Sequence, residues 1–217
     1  MTLRRRSSTA LADDTRVRTP QSERVEATRR KIIDAALALL REEGFKAATL
    51  QAIARRAEVS LGALQHHFES RDVLMERLVA EVMAPLGDQG GVWPDRALPL
   101  DERAGQFVER AWNGIFGAPN YQTAWSLFFG CKAIPALFER IEGYRRHVDQ
   151  GFYAQFFAVF PELQDHPHPQ GVASVVFSAL RGAAVQELFT VDAQEKHGSL
   201  AVLAEFIAGA CRRAPTA

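Results

Sequence analysis

Apolar residues recur at steps of three and four along most of the chain, and alternation of the kind that makes a half-buried strand is absent over any useful length. Ile33, Ala36, Leu37 and Leu40 form one stripe, while Arg29, Arg30, Arg41 and Glu42 fall on other faces. This spacing predicts a helix from about Ser22 to Glu43. Gly44 ends it, because a residue just past a helix terminus often needs the left-handed conformation that glycine adopts freely. Phe45 is then expected to pack back on the helix end. Two short helices follow. Thr49 caps the first, Leu50 to about Arg56, and Ser60 caps the second, Leu61 to about His67. Neither has Glu or Gln three residues on, so no capping box forms. Only Ala57, Glu58 and Val59 join them, and so short a connection makes the helices cross steeply, as in a helix-turn-helix. Ile53, Ala54, Ala57, Val59 and Leu64 fill the wedge between them.

Ser70 caps a longer helix running to about Leu86, with Asp72 in its first turn and Leu74, Leu78, Val79 and Val82 as its stripe. The Gly/Pro/Asp-rich stretch from Gly87 to Pro99 is expected to be a loop. Five further helices are predicted at roughly 100–116, 121–134, 136–158, 170–190 and 194–212, with prolines 135, 161, 167 and 169 marking breaks. The fold class is therefore all-α with about nine helices. Residues 1–21 form a flexible basic arm, 22–70 a three-helix helix-turn-helix domain, and 71–217 a helical domain.

Composition narrows the function classes. With 47% hydrophobic and 24% charged residues among 217, the chain is of soluble globular type. Its longest apolar runs, such as Ala35–Leu40, are too short to span a bilayer. No apolar run follows Arg4, Arg5 and Arg6, so the start does not have the form of a secretory signal. Cys131 and Cys211 are the only cysteines, too few for a disulfide framework or a cysteine-based zinc site, and a reducing cytoplasm is the expected location. Net charge is zero, yet residues 1–72 carry 14 Lys/Arg against 10 Asp/Glu, and the remainder 12 against 16. This asymmetry points the N-terminal part toward a polyanion. The arm with Arg4–Arg6 is either a disordered tail or a segment that touches DNA.

Residues 44–74 read GFKAATLQAIARRAEVSLGALQHHFESRDVL. They resemble the tetracycline-repressor (TetR) family of bacterial transcription regulators at Gly44, Thr49, Ile53-Ala54, Ala57, Val59-Ser60, Gly62, Leu64, His67-Phe68, Arg71 and Leu74. Three positions depart from the family pattern. Glu58 stands for the turn glycine, so the turn has to be held without a left-handed glycine. Gln65 stands for a tyrosine, and Arg71 for a lysine. The resemblance implies that the second short helix enters the major groove by its N-terminal end. Leu61, Gly62, Ala63, Gln65 and His66 then face base edges. Gln65 can bond adenine through two points, and Leu61 or Ala63 can meet a thymine methyl. Thr49, Gln51, Ser60, His67 and Arg71 fall where the family meets the phosphate backbone, which sets register.

For the C-terminal helices the resemblance implies an effector pocket and a dimer interface. Residues 112–160 are rich in aromatic rings, which serve as pocket walls or as plain core. Trp112, Trp125, Phe129, Phe152 and Phe156 are the candidate ligand contacts, with Lys132, Arg145 and His147 as polar anchors. Val176, Leu180 and Ala183 on one helix and Leu203, Phe206 and Ile207 on the next are candidates for an interface across a two-fold axis; their alternative is burial within the subunit. The expected function is a ligand-released repressor, homodimeric on a palindromic operator, with an unknown, partly hydrophobic effector. An enzyme and a protein-binding helical adaptor are the rival classes. Against an enzyme, no Gly-rich phosphate loop, nucleophile elbow or carboxylate pair stands out, and neither His66-His67 nor His166 with His168 has a third metal ligand at a suitable spacing. No cofactor and no metal are expected.

Overall fold

The computed structural model describes residues 21–87, 91–189 and 192–213, and all the regular structure in them is helical. The proposed basic arm with Arg4–Arg6 lies outside the described residues. Helix α1 (Gln21–Glu42) buries Ile33, Ala36, Leu37 and Leu40 as the spacing requires, together with Ile32 and Leu39. Gly44 follows with φ of +82°. Helix α2 (Leu50–Arg56) opens where the Thr49 hydroxyl accepts the Ala52 N–H at 3.2 Å. Helix α3 (Leu61–His67) opens where the Ser60 hydroxyl accepts the Ala63 N–H at 3.0 Å. Each cap satisfies a backbone donor that the first helical turn leaves free, and contributes about 1 kcal/mol.

The turn between α2 and α3 is held without a glycine, as the sequence requires. Glu58 itself takes the left-handed conformation, with φ of +56°. The Val59 N–H reaches the Ala54 carbonyl at 3.0 Å and the Glu58 N–H reaches the Arg55 carbonyl at 3.2 Å. These two bonds are the Schellman closure of a helix end. They hold a side-chain-bearing residue where glycine is normally preferred, at a conformational cost of about 1–2 kcal/mol. Ile53, Ala54, Ala57 and Leu64 are buried beneath the turn.

Helix α4 (Arg71–Gly87) buries Leu74, Leu78, Val79 and Val82, and Ser70 accepts the Val73 N–H ahead of it. It packs on α1 and also on α6 (Pro119–Cys131) and α7 (Pro135–Val159), so one helix runs from the N-terminal bundle into the rest of the chain. Ion pairs from its middle tie it to a helix on either side, Glu81 to Arg30 of α1 and Glu76 to Arg140 of α7. Helix α5 (Leu100–Ala111) packs on α9 (Ala193–Arg212), and α8 (Pro169–Gln186) packs on α9 as well.

The helix predicted for residues 100–116 does not stay α-helical. It passes into a π-helical turn at Trp112–Phe116, where the Gly117 N–H bonds the Trp112 carbonyl at 2.8 Å. A Cβ at residue 117 would stand 2.8 Å from the Trp112 indole, so glycine is what lets the chain leave the turn there. Beyond α7 a short 3-10 turn, Pro161–Asp165, leads to α8. The centre of this half is aromatic: Phe107, Phe156, Phe160 and Phe177 are fully buried with ring centroids 5.0–6.4 Å apart, a spacing that favours edge-to-face packing.

Candidate DNA interface and ligand cavity

Helix α3 turns Leu64 fully inward, while Gly62, Gln65 and His66 are exposed and Leu61, Ala63 and His67 are half-buried. Gln51 and Thr49 are exposed beside it, with the Thr49 and Ser60 hydroxyls engaged as caps. Gly62 is not demanded by the packing of the chain, because a Cβ there would meet nothing within 4 Å. Two basic residues absent from the sequence-based set share this part of the surface. Arg55 follows Gln51 by one helical turn, and Lys46 precedes the Thr49 cap; both are exposed, and neither has a carboxylate partner among the described residues. Their signal in the sequence is only their charge, which neighbouring Arg56 shares. Arg56 differs in being spoken for, by two bonds to Glu42 at 2.6 and 2.7 Å.

Arg71, expected at the phosphate backbone, is bonded within the subunit. Its Nε donates to the Ala48 carbonyl at 3.1 Å, and a terminal nitrogen donates to the Phe45 carbonyl at 2.9 Å. Its guanidinium also sits 4.4 Å from the centre of the Phe45 ring. The side chain thus clasps the segment between α1 and α2. Phe45 does not simply fold back on α1: its ring lies so close to Gly130 of α6 that a Cβ at residue 130 would overlap it. Arg71, Phe45 and Gly130 form a seam between the N-terminal helices and α6. Arg41 of α1 adds a bond to Asn120 at 3.3 Å.

A cavity of about 270 Å³ lies between α4, α6, α7 and α8. Val82, Met83 and Leu86 of α4 and Phe116 of the π-turn line it, with Tyr121, Ala124, Trp125, Phe128 and Phe129 of α6 and Phe138 and Phe152 of α7. Its charged lining is Lys132, Glu142, Arg145, Asp149 and Arg181. Of the residues proposed from sequence, Trp125, Phe129, Phe152, Lys132 and Arg145 are therefore on this wall. Trp112 is not: it lines a separate cleft between α5 and α9, with the Lys196 ammonium 5.8 Å from its ring. Phe156 belongs to the aromatic centre and is fully buried there. His147 is exposed and off the wall. The lining residues from α4 and α8, above all Arg181, were not legible in the sequence, because nothing local distinguishes them from core or surface residues.

Within the cavity, Arg145 pairs with Asp149 and with Glu142 at 2.9 Å, and Arg181 reaches Asp149 at 3.4 Å. Burial pushes the Tyr121 phenol up to about 12 against the opposing pull of Arg181, to which it is hydrogen-bonded. Burial likewise raises the thiols of Cys131, to about 11, and Cys211, to about 12. Among the described residues no group of three His, Cys, Asp or Glu side chains is placed to hold a metal ion, and no helix is long and apolar enough to cross a membrane.

The interface candidates on α8 and α9 are corrected in part. Val176, Leu180 and Ile207 are fully buried inside the subunit and Leu203 is 8% exposed, so they are spent on the subunit's own core; Ala183 and Phe206 are half-buried. The apolar groups left outside are Val175, Val185, Leu188, Phe189 and Val202, with Phe189 72% exposed.

Residues 32–78 match the sequence profile of bacterial regulatory proteins of the tetR family. The HTH-type transcriptional regulator BetI of Serratia proteamaculans is 28% identical over 170 residues, which are 73% of this chain and 84% of that protein. BetI of Escherichia coli K12 is 40% identical over 60 residues, 28% of this chain, and that match spans under a third of the relative, 31%. Among solved structures, a TetR transcription regulator from Haloarcula marismortui superposes with a TM-score of 0.68 at 16% identity, covering 85% of this chain and 98% of the other. The multidrug binding protein EbrR, solved with malachite green, superposes at 0.60 with 21% identity, covering 82% and 96%. At these identities the structural likeness speaks for the fold, and the matched DNA-binding segment speaks for the family. With a capped helix-turn-helix at residues 49–67 inside the matched segment and an all-helical body behind it, the chain carries at residues 32–78 the DNA-binding segment of the tetR family of bacterial regulatory proteins.

Proposed function

We propose that this regulator is a homodimeric repressor that holds a palindromic operator and lets it go when a small, partly hydrophobic ligand enters the cavity between α4, α6, α7 and α8. The observation that carries the DNA half of this reading is the face of α3: Gly62 has open space above it, and Gln65 and His66 are exposed beside it. A glycine that the fold itself does not need is explained by a surface that must approach the backbone closely. Leu61, Ala63, Gln65 and His66 then read bases, and Thr49, Gln51, Ser60 and His67, with Arg55 and Lys46, meet phosphates. The unit of residues 22–70 reads DNA and residues 71–217 bind ligand and partner. The reading includes no catalytic role and assigns the protein to the cytoplasm, where its DNA lies.

The second copy docks on the exposed apolar groups of α8 and its neighbours, Val175, Val185, Leu188, Phe189 and Val202. Pairing of reading heads on one face of DNA requires half-sites one or more helical turns apart. Coupling follows from continuity. Val82, Met83 and Leu86 of α4 touch the cavity, and the same helix begins at Arg71, the clasp of the α1–α2 segment. Helix α6 lines the cavity and carries Gly130 under Phe45. A ligand that favours one arrangement of α4 and α6 therefore changes the spacing of the two heads, and operator and ligand affinities are coupled reciprocally.

The test is to incubate purified protein with sheared genomic DNA of its host and to sequence what is retained. A few enriched fragments sharing an inverted repeat are the expected result. Uniform recovery without a repeat would refute sequence-specific operator binding. Sedimentation of a Phe189→Asp, Val202→Asp double variant as a monomer, against a wild-type dimer, checks the docking surface.

A further inference from the structure

The cavity's charge pattern distinguishes between ligand classes. Its two carboxylates are already taken: Glu142 by Arg145, and Asp149 by both Arg145 and Arg181. A cationic ligand would find its aromatic walls but no free counter-charge, and would have to break one of these pairs. The cations are in excess by one. Lys132 lines the cavity with no carboxylate partner among the described residues, and it is exposed, as is Phe129 at 69%; the two mark the mouth. The indole N–H of Trp125, next along the same face of α6, is buried without an acceptor. The Tyr121 oxygen is bonded to Arg181, which leaves its O–H to donate. The unsatisfied polarity of this wall is therefore donors and positive charge, and the remainder of the wall is apolar.

We propose that the cavity takes an amphipathic monoanion, an aliphatic or aromatic carboxylate whose body lies among the rings and whose charged end meets Lys132 at the mouth. This rests on the reading of the cavity as the effector site and specifies the chemistry of what enters it. A volume of about 270 Å³ corresponds to roughly nine water-sized groups, which sets the scale of the ligand's body. Phe129 covers that body at the mouth, and the half-buried ion pairs around Arg145 supply the rest of the charged wall.

The experiment uses the full chain and three probes with one hydrocarbon tail: octanoate, 1-octanol and octylammonium. Binding is read by calorimetry and by the fluorescence change of Trp125, with Trp125→Phe as the control that assigns the signal. Octanoate is expected to bind best, ahead of octylammonium by about tenfold or more, the scale of one partly screened attraction set against one repulsion. In Lys132→Met, whose exposed side chain leaves the fold untouched by circular dichroism, octanoate falls to the level of octanol and octanol itself is unchanged. Octylammonium binding as tightly as octanoate, or an octanoate preference that survives Lys132→Met, would overturn the proposal while leaving the cavity a ligand site. Failure of all three probes to bind up to their solubility would overturn the effector-site reading together with it.

Discussion

Replacing Arg71 with alanine separates two roles that one arginine at the base of a reading head can have. In the first, its guanidinium meets a DNA phosphate. In the second, which the geometry favours, it holds Phe45 and Ala48 in place. Two bonds from a charged donor to half-exposed carbonyls contribute about 1 kcal/mol each, and a cation over an aromatic face at a partly exposed site adds about 0.5 kcal/mol. Arg71→Ala should therefore destabilise the protein by about 2.5 kcal/mol. At about 2–4 °C per kcal/mol for a chain of this size, Tm falls by roughly 5–10 °C at fixed protein concentration. Arg71→Lys keeps the charge but not the fork, so it should recover less than half of the loss. The second measurement is the dependence of operator affinity on salt. Each neutralised phosphate contributes about 0.9 to the slope of log affinity against log salt, and a dimer would leave two phosphates unmet, a fall of about 1.8. With a structural clasp the slope stays as it is in wild type. An unchanged Tm together with a slope reduced by nearly two would refute the clasp and restore the phosphate role.

Three further outcomes follow from particular residues. Glu58→Gly removes a side chain from a left-handed position; part of the gain is offset by the freer unfolded chain, so a stabilisation of about 0.5–1 kcal/mol is expected, read as a higher Tm. Gly62→Leu meets open space, and since glycine in a helix is the weaker former by about 1 kcal/mol, Tm should not fall and should rise by up to about 2–4 °C; operator binding in a mobility-shift assay should nonetheless be lost, and retained binding would remove α3 from the groove. Cys131 and Cys211 stay protonated in the fold at a pH where the unfolded chain releases their protons. Stability from these thiols is thus whole below about pH 9, the ordinary value of the group, and is lost as pH rises through about 11 and 12. A thiol reagent at pH 8 should leave native protein unmodified and label both cysteines in urea.

The local features of this protein were legible in its sequence because they depend on neighbours along the chain. The stripes Ile33–Leu40 and Leu74–Val82 face the core as their spacing requires. Thr49, Ser60 and Ser70 cap the helices they precede, and Gly44 has the left-handed backbone assigned to it. Capping and periodicity act over three or four residues, so no knowledge of the fold was needed. The tertiary structure decided everything that depends on a partner distant in the chain. Arg71 and Phe45 are 26 residues apart and meet in one clasp, and Phe45 then rests on Gly130, which no local pattern couples to it. The aromatic residues of 112–160 look alike in sequence. Only the packing sends Phe156 into the centre, Phe152 to the cavity wall and, through the π-turn, Trp112 to the α5–α9 cleft. The same holds for α8, which is apolar on more than one face: Val176 and Leu180 are inside, while Val175 and Val185 are outside. A helix with two apolar faces has a periodicity that fits either orientation, and the choice between them is made by the surface it meets.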